Sequence, residues 1–222
     1  IISMPLGIGF ASLRACIKLL VGFPPEKSGV FSAGNGPAMR SALIGIICGN
    51  DIQKMKSLVR ISTRITHTDP KAEIGALTVA YAAFIAGTKK EVAPSSFYEG
   101  LKSLLIGYES LEFLKIVEEV VDSVYNNEST REYVERLGLK NGVSGYIYHT
   151  VPVVIHAWLS YKGNFRKSII EMIECGGDTD TTAAILGGIL GASATVAGIP
   201  EELQENIYLF PYSKKYIENI SH

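Results

Sequence analysis

Apolar residues recur along most of the chain at the three- and four-residue spacing of an α-helix, not in the alternation of a strand. The pattern runs through Leu13, Ile17 and Leu20 near the start, and through Leu77 and Phe84 in the middle. This spacing predicts an all-α fold. The segments rich in Gly, Pro and Asn between the predicted helices are too short to be linkers between domains. We therefore expect one domain over residues 1–222.

Local signals predict where two of the helices start. Asp69 precedes Pro70, which places a capping residue before a proline at the first helical position. Ser95 and Ser96 precede an amphipathic run that continues to Asn126, and this run is predicted as one long helix.

Residues 183–199 carry no charge and are followed by Pro200. A membrane span needs about 20 predominantly apolar residues. This segment is shorter, and Gly, Ala, Ser and Thr dominate it. Such small residues suit a buried helix that its neighbours approach closely, so we predict a central helix of a bundle here and no association with a membrane.

The charge balance excludes some classes of partner. The chain has 21 Lys and Arg against 22 Asp and Glu, a net charge of −1, and no block of like charges. Because nucleic-acid backbones and anionic membranes require concentrated positive charge, we expect neither as a partner. The three cysteines, Cys16, Cys48 and Cys175, lie in apolar or glycine-rich surroundings, which predicts buried, reduced thiols. No signal-peptide pattern opens the chain, so we expect a cytoplasmic protein.

The candidate chemistry lies directly before the apolar segment, in the sequence Gly176-Gly177-Asp178-Thr179-Asp180-Thr181-Thr182. Residues two apart in a regular helix point in nearly opposite directions, so Asp178 and Asp180 can converge on one ion only if Asp178 has a non-helical cap conformation. The preceding glycines permit this. Thr181 lies on the same face as Asp178 and offers a third oxygen. An all-oxygen set favours Mg²⁺, Mn²⁺ or Ca²⁺ over zinc.

Ordinary helix capping explains the same residues. Asp and Thr are favoured N-cap residues, and the positive end of the helix dipole stabilises carboxylates. On spacing alone, capping is the stronger interpretation.

Residues 176–192 also resemble the C-terminal signature of the ADP-ribosylglycohydrolases, which include the enzymes that reactivate ADP-ribosylated dinitrogenase reductase. Residues 32–40 resemble the family's Gly-Asn-Gly-x-x-Met-Arg motif, residues 66–72 its Thr-His-x-x-Pro-x-Ala helix start, and residues 144–146 its Ser-Gly-Tyr substrate loop. The likeness extends from Gly7 to about Tyr212. It implies the compact, multi-helix orthogonal bundle of that family.

The resemblance implies a hydrolase that cleaves the glycosidic bond between ADP-ribose and a modified protein side chain or a small molecule. In the family, two Mg²⁺ or Mn²⁺ ions orient the ribose and activate the attacking water, and a nearby carboxylate acts as base. By position, it implies that Asp178, Asp180 and Thr181 bind metal, with Asp178 and Asp180 catalytic. The residues that it implies for the ADP-ribose pocket are Gly34, Asn35, Gly36, Ser144, Gly145 and Tyr146.

The physical chemistry of these residue types agrees with that assignment. Glycine-rich turns expose backbone N–H groups that can hold a pyrophosphate, and Tyr146 offers both an aromatic face and a hydroxyl.

One part of the family pattern is missing from the sequence. The family's other metal ligands lie near its N-terminus, in a Thr-Asp-Asp-Thr motif, and this chain contains no Asp-Asp pair. Thr68-Asp69 does not replace the motif, because Asp69 is predicted to cap a helix. We therefore expect the N-terminal part of the domain, and half of the metal shell, to be absent. Three alternatives stay open: a fragment of a complete enzyme, a second polypeptide that supplies the rest, or a natural inactive member that binds ADP-ribose or is structural.

Three further residues have two interpretations each, and a fourth has one. His149 follows Tyr146 closely, and we favour a hydrogen-bonded structural histidine over a pocket residue. Arg40 could contact a phosphate, but a partly buried arginine paired with a carboxylate is favoured. Cys175 is interpreted as a buried residue and not as a nucleophile, and Trp158 is predicted to lie in the core.

Overall fold

The structure, a computed structural model, describes residues 9–161, 164–194 and 198–205. These residues form thirteen helices, and their β-structure is confined to three isolated bridges. The all-α prediction is confirmed. The helices are α1 (Phe10–Leu20), α2 (Pro25–Ser28), α3 (Gly36–Met39), α4 (Ala42–Cys48), α5 (Ile52–Arg64), α6 (Pro70–Thr88), α7 (Pro94–Leu104), α8 (Leu111–Tyr125), α9 (Thr130–Arg136), α10 (Ile147–Ser160), α11 (Phe165–Glu174), α12 (Thr179–Ser193) and α13 (Glu201–Glu205).

Helix α6 starts where the sequence predicts. Pro70 is its first residue, and the Asp69 carboxylate accepts a hydrogen bond of 2.9 Å from the backbone N–H of Lys71. This bond satisfies one of the N–H groups that have no partner within the first turn of a helix.

The single long helix predicted after Ser95 is wrong. The segment forms two helices, because α7 ends at Leu104 and α8 begins at Leu111. Between them, Gly107 has a φ of +91°, a left-handed conformation that a helix cannot contain. The apolar spacing did not reveal this turn, because Leu104 and Leu105 before it and Leu111 after it continue the helical pattern. In the structure Leu104 and Leu105 are buried, whereas Leu111 is exposed.

The centre of the core is α6, which is buried around nearly its whole circumference. A neighbouring helix approaches the backbone of α6 closely where that neighbour carries a glycine. A Cβ on Gly45 of α4 would overlap the Ala80 carbonyl of α6, so only glycine allows this packing distance. Helix α10 is also almost completely buried and packs against α6 and α8.

The prediction that the apolar segment after the acidic residues forms a buried, central helix is confirmed only in part, because α12 packs closely against its neighbours but is not the central helix. Helix α12 packs on α6 and α11 through a face that contains Ile185, Leu186, Ile189 and Leu190, whereas Ala184 is exposed. Helix α6 takes the central place because it is buried around nearly its whole circumference, whereas α12 is buried mainly on one face. Residues 195–197 of the predicted segment lie outside the described residues. Among the described helices, none has the length and apolar character that a membrane crossing requires.

The remaining core predictions have mixed outcomes. Trp158 is buried against the edge of Phe97, with ring centroids 5.3 Å apart, and Cys48 and Cys175 are buried free thiols. Burial raises the pKa of Cys175 to about 11, which keeps the thiol protonated and supports the interpretation that it is not a nucleophile. Cys16 is exposed, which contradicts its predicted burial, because it lies on the outer side of α1.

Candidate functional site

Two glycine-containing loops, residues 32–36 and residues 144–146, lie side by side. We call them the two glycine loops. Gly34 and Tyr146 form an antiparallel bridge, and the backbone N–H of Asn35 donates to the Gly145 carbonyl over 3.0 Å. The structure therefore brings together all six residues that the resemblance implies for the ADP-ribose pocket, although the two loops are far apart in sequence.

The acidic turn, residues 176–182, is attached to the second glycine loop through Val143. Val143 forms a parallel bridge with Gly177, and its carbonyl accepts a hydrogen bond of 2.7 Å from the backbone N–H of Asp178. Gly177 has a φ of +82°, and a Cβ there would overlap the Val143 carbonyl. Glycine is therefore required at this junction on both conformational and steric grounds.

Asp178 is the N-cap residue of α12 and lies outside the helix, with φ −80° and ψ 60°. This is a non-helical conformation of the kind that convergence with Asp180 requires. The Asp178 side chain makes no capping hydrogen bond. Instead, its Oδ2 accepts a hydrogen bond of 2.7 Å from Nδ2 of the buried Asn35. The carboxylate is therefore directed toward the first glycine loop, although the backbone N–H of Thr181 in the first turn of α12 also interacts with it.

Asn35 connects all three segments of the site. Its Nδ2 donates to Thr150 Oγ1 over 3.0 Å as well as to Asp178. Thr150 Oγ1 in turn donates to the Ser144 carbonyl over 2.9 Å. A Cβ on Gly145 would lie 3.3 Å from Asp178 Oδ2, so the second glycine loop also borders the carboxylate.

The side chains of Thr181 and Asp180 interact with the Asp178 carboxylate and affect its pKa. Partial burial raises the pKa of Asp178, but interactions with Asn35, Thr181 and Asp180 outweigh burial and hold the pKa below its usual range. Two carboxylates that are brought together repel each other when both are ionised, and a cation between them removes that repulsion.

The donor set of the acidic turn fits a hard divalent cation only in part. Two carboxylates and one hydroxyl are all-oxygen ligands, as Mg²⁺ prefers, but they leave at least half of a six-coordinate shell to other donors. Within the described ranges, no group of three or more His, Cys, Asp or Glu side chains could hold a metal ion.

His67 lies beneath the first glycine loop. The sequence alone had suggested no role for this residue. Cβ atoms built on Gly34 and Gly36 would lie 3.0 and 3.2 Å from its ring. Its Nδ1 is 2.8 Å from Thr66 Oγ1. Burial, together with the positive charge of Arg40, lowers the pKa of His67 to about 4, so the ring is neutral. The Thr-His-x-x-Pro segment was the sequence signal for this position.

Arg40 differs from its predicted role. It is exposed, and in the part of the chain that the structure describes its partners are neutral oxygens and not a carboxylate. It donates to the Gly36 carbonyl over 3.0 Å, the Ser62 carbonyl over 2.6 Å and Thr66 Oγ1 over 2.7 Å. Arg40 therefore ties the first glycine loop to α5 because guanidinium has enough donors to reach several carbonyls at once.

Aromatic and charged side chains surround Tyr146 in the second glycine loop. Its hydroxyl is 3.1 Å from Lys71 Nζ, and its ring meets the His149 ring edge to face, with centroids 5.0 Å apart. His149 Nδ1 is 2.9 Å from Ser144 Oγ. The favoured interpretation of His149 as a hydrogen-bonded histidine therefore agrees with the structure, and its ring also contacts a predicted pocket residue.

The chain is similar to a protein family and to several known proteins. The family model described as ADP-ribosylglycohydrolase matches residues 3–221. An uncharacterized protein of Archaeoglobus fulgidus is 32% identical, over 90% of this chain and 62% of that protein. ADP-ribosylhydrolase ARH3 of Gallus gallus is 27% identical, over 96% of this chain and 66% of that protein. ADP-ribosyl-[dinitrogen reductase] glycohydrolase of Rhodospirillum rubrum is 25% identical, over 76% of this chain and 48% of that protein.

The chain thus spans between about half and two thirds of the length of these relatives. A solved structure described as an ADP-ribosylglycohydrolase-related protein complex superposes with a TM-score of 0.63 at 22% identity. That match covers 90% of this chain and 64% of the other, and it supports the fold. With a family model that matches nearly every residue, the chain belongs to the ADP-ribosylglycohydrolase family.

Proposed function

We propose that this chain acts in the hydrolysis of the glycosidic bond between ADP-ribose and a modified protein side chain or a small molecule. One observation carries the proposal: Asp178 Oδ2 accepts a 2.7 Å hydrogen bond from Asn35 at the point where the acidic turn meets both glycine loops. The names of the relatives from Gallus gallus and Rhodospirillum rubrum support the reaction class.

The two glycine loops are proposed to bind ADP-ribose. Their backbone can approach a pyrophosphate closely because Gly34, Gly36 and Gly145 carry no side chain. Tyr146 provides a ring that can stack and a hydroxyl that can form a hydrogen bond. His67 keeps the first loop in place from below, and as a neutral ring it adds no charge there.

The acidic turn is proposed to bind Mg²⁺ or Mn²⁺ through Asp178, Asp180 and Thr181, with two ions in the complete site. When bound, such an ion makes an attacking water more acidic and stabilises negative charge. The Asn35 amide fixes the orientation of the Asp178 carboxylate, and the exposed Asp180 can accept a proton from water. The remaining positions of the shell would be filled by water, by a longer form of the chain or by a second polypeptide.

The proposal is tested with peptides that carry ADP-ribose on serine or on arginine. We expect release of free ADP-ribose, measured by chromatography, in the presence of Mg²⁺ and its loss after chelation. Asp180→Asn should reduce the rate at least a hundredfold, because it removes one ligand and the candidate base. Asp122→Asn is the matched control, since Asp122 is an exposed carboxylate of α8. Release that neither chelation nor Asp180→Asn changes would contradict the proposal.

A second candidate function is binding of ADP-ribose without turnover. It is favoured by the incomplete donor set of the acidic turn within the described residues. Isothermal titration calorimetry separates the two functions, because a binding protein should take up ADP-ribose with the same affinity after Asp180→Asn and should release none from the peptides.

A further inference from the structure

Lys71, the second residue of α6, contacts Tyr146 from outside the glycine loops. Its Nζ lies 2.9 and 2.8 Å from the two carboxylate oxygens of Glu112 and 3.1 Å from the Tyr146 hydroxyl. The ammonium also lies over the Tyr148 ring, 4.8 Å from its centroid. We call these four residues the Lys71 cluster. It joins the starts of α6, α8 and α10 at one edge of the candidate site.

The geometry argues against Lys71 as a phosphate ligand. An ammonium group has three N–H donors, and three oxygens of Glu112 and Tyr146 lie within hydrogen-bonding distance of it. Glu112 also neutralises its charge. The hydrogen bonds with Glu112 and Tyr146 raise the pKa of Lys71, in keeping with an ammonium that is already fully engaged. An anion would have to displace Glu112 before Lys71 could bind it.

The same geometry determines what the Tyr146 hydroxyl can do. Because an ammonium can only donate, the phenol oxygen is the acceptor in this contact, and the phenol keeps its own hydrogen. Among the described residues, no acceptor for that hydrogen is found. The ring is held on another side by the edge-to-face contact with His149, and the backbone by the bridge to Gly34. Tyr146 is therefore a fixed residue with one free donor.

We infer that Lys71, anchored by Glu112, is a positioning residue that fixes the Tyr146 hydroxyl as a hydrogen-bond donor to an acceptor oxygen of bound ADP-ribose. The inference rests on the proposed function. It adds a determinant of ligand specificity: at this point the site selects a phosphate or hydroxyl oxygen and disfavours a group that can only donate. The effect of Lys71 on binding passes entirely through Tyr146.

The test measures ADP-ribose affinity by isothermal titration calorimetry for Lys71→Met, Tyr146→Phe and the double variant. Each single change should weaken binding about tenfold, the equivalent of one hydrogen bond to a charged group. The double variant should bind no more weakly than Tyr146→Phe alone, because Lys71 has no separate contact with the ligand. Lys71→Arg, which can still donate to the hydroxyl, should restore most of the affinity.

Lys102→Met is the matched control. Lys102 lies 3.3 Å from a carboxylate oxygen of Glu99 and 5.4 Å from the centroid of the Tyr98 ring, so it has similar partners on α7, away from the glycine loops. Its removal should leave the affinity unchanged. Wild-type affinity in Lys71→Met, or losses that multiply in the double variant, would overturn the inference, as would a loss of stability in Lys71→Met with no change in affinity.

A second measurement separates this inference from the proposed function. If the wild-type chain does not bind ADP-ribose, the proposed function fails. In that case a double-mutant cycle on urea unfolding decides whether Lys71 fixes Tyr146. A coupling between the two residues supports the positioning role, and strictly additive effects overturn it.

Discussion

The Asn35 side-chain nitrogen lies 2.7 Å from Asp178 Oδ2, although 143 positions separate the two residues. This hydrogen bond orients the candidate metal ligand by means of a residue from a glycine loop. Binding of ADP-ribose and binding of a cation are therefore expected to be coupled, because both depend on the conformation of Asn35.

Asn35→Ala is predicted to weaken binding of Mn²⁺ and of ADP-ribose by roughly tenfold each. The substitution removes a hydrogen bond to a charged group, which typically contributes about 1.5–3 kcal/mol. Mn²⁺ affinity can be measured by electron paramagnetic resonance and ADP-ribose affinity by calorimetry. Asn50→Ala, at an exposed position, should change neither. Unchanged Mn²⁺ affinity in Asn35→Ala would show that the contact does not orient a metal ligand.

Gly177→Ala is predicted to destabilise the fold by roughly 2–4 kcal/mol. About 1–2 kcal/mol comes from the left-handed conformation, and the rest from overlap with Val143. Gly138→Ala isolates the first contribution, because Gly138 also has a positive φ, +71°, but no atom lies within 4 Å of its Cβ position. Urea unfolding of both variants measures the difference. Equal destabilisation of the two would mean that the acidic turn tolerates displacement from Val143.

Folding stability is predicted to fall as the pH is lowered from 6.5 toward 4, in part because of His67. Its pKa is about 4 in the folded state and near 6.5 in the unfolded state. The unfolded chain therefore takes up a proton first, so the contribution is complete above pH 6.5 and is lost as the pH falls to 4. The full difference corresponds to about 3 kcal/mol.

Unfolding by urea at several pH values checks this prediction. His67→Gln should flatten the dependence between pH 6.5 and 4. His149→Gln should flatten it less, because His149 is only partly buried and its pKa is lowered by a smaller desolvation effect. An unchanged pH dependence in His67→Gln would mean that the buried ring does not exclude a proton. His156, which burial also brings to a pKa of about 4, should behave as His67 does.

Added Mg²⁺ is predicted to raise the melting temperature slightly, and Asp178→Asn should remove the effect. A partial shell binds weakly, and an ion at about ten times its dissociation constant stabilises a fold by about 1.4 kcal/mol. For a chain of this size that corresponds to roughly 3–6 °C. Differential scanning fluorimetry with Mg²⁺ and with K⁺ at matched ionic strength makes the measurement. A shift of the same size in Asp178→Asn would assign the effect to general salt stabilisation.

The sequence was sufficient for the helical class of the fold but not for every helix boundary or for the tertiary contacts. The 3.6-residue spacing indicated helices, and Asp69-Pro70 located the start of α6, because both signals are local. The turn at Gly107 was missed because apolar residues flank it on both sides. The exposure of Cys16 was missed because it depends on what α1 packs against.

The same distinction between local signals and tertiary contacts applies to the candidate site. Family resemblance indicated the acidic turn and the two glycine loops, but the bond between Asn35 and Asp178 follows from how the helices pack. The partners of Lys71 are 41 and 75 positions away, and no spacing rule could connect them. The Mg²⁺ dependence, the cytoplasmic location and the missing N-terminal ligands stay predictions.

Helix α6 passes through the middle of the core, and its first turn carries Lys71 at the edge of the site, with His67 three residues before the helix. Lys71 belongs to the same helix as the most buried part of the molecule, and only Thr68 and Asp69 separate His67 from that helix. A substitution that shifts α6 along its axis would therefore move the floor of the first glycine loop and the anchor of Tyr146 together. Variants selected for a new specificity at this end of the helix are expected to lose thermal stability, and substitutions that stabilise the far end of α6 should restore that stability.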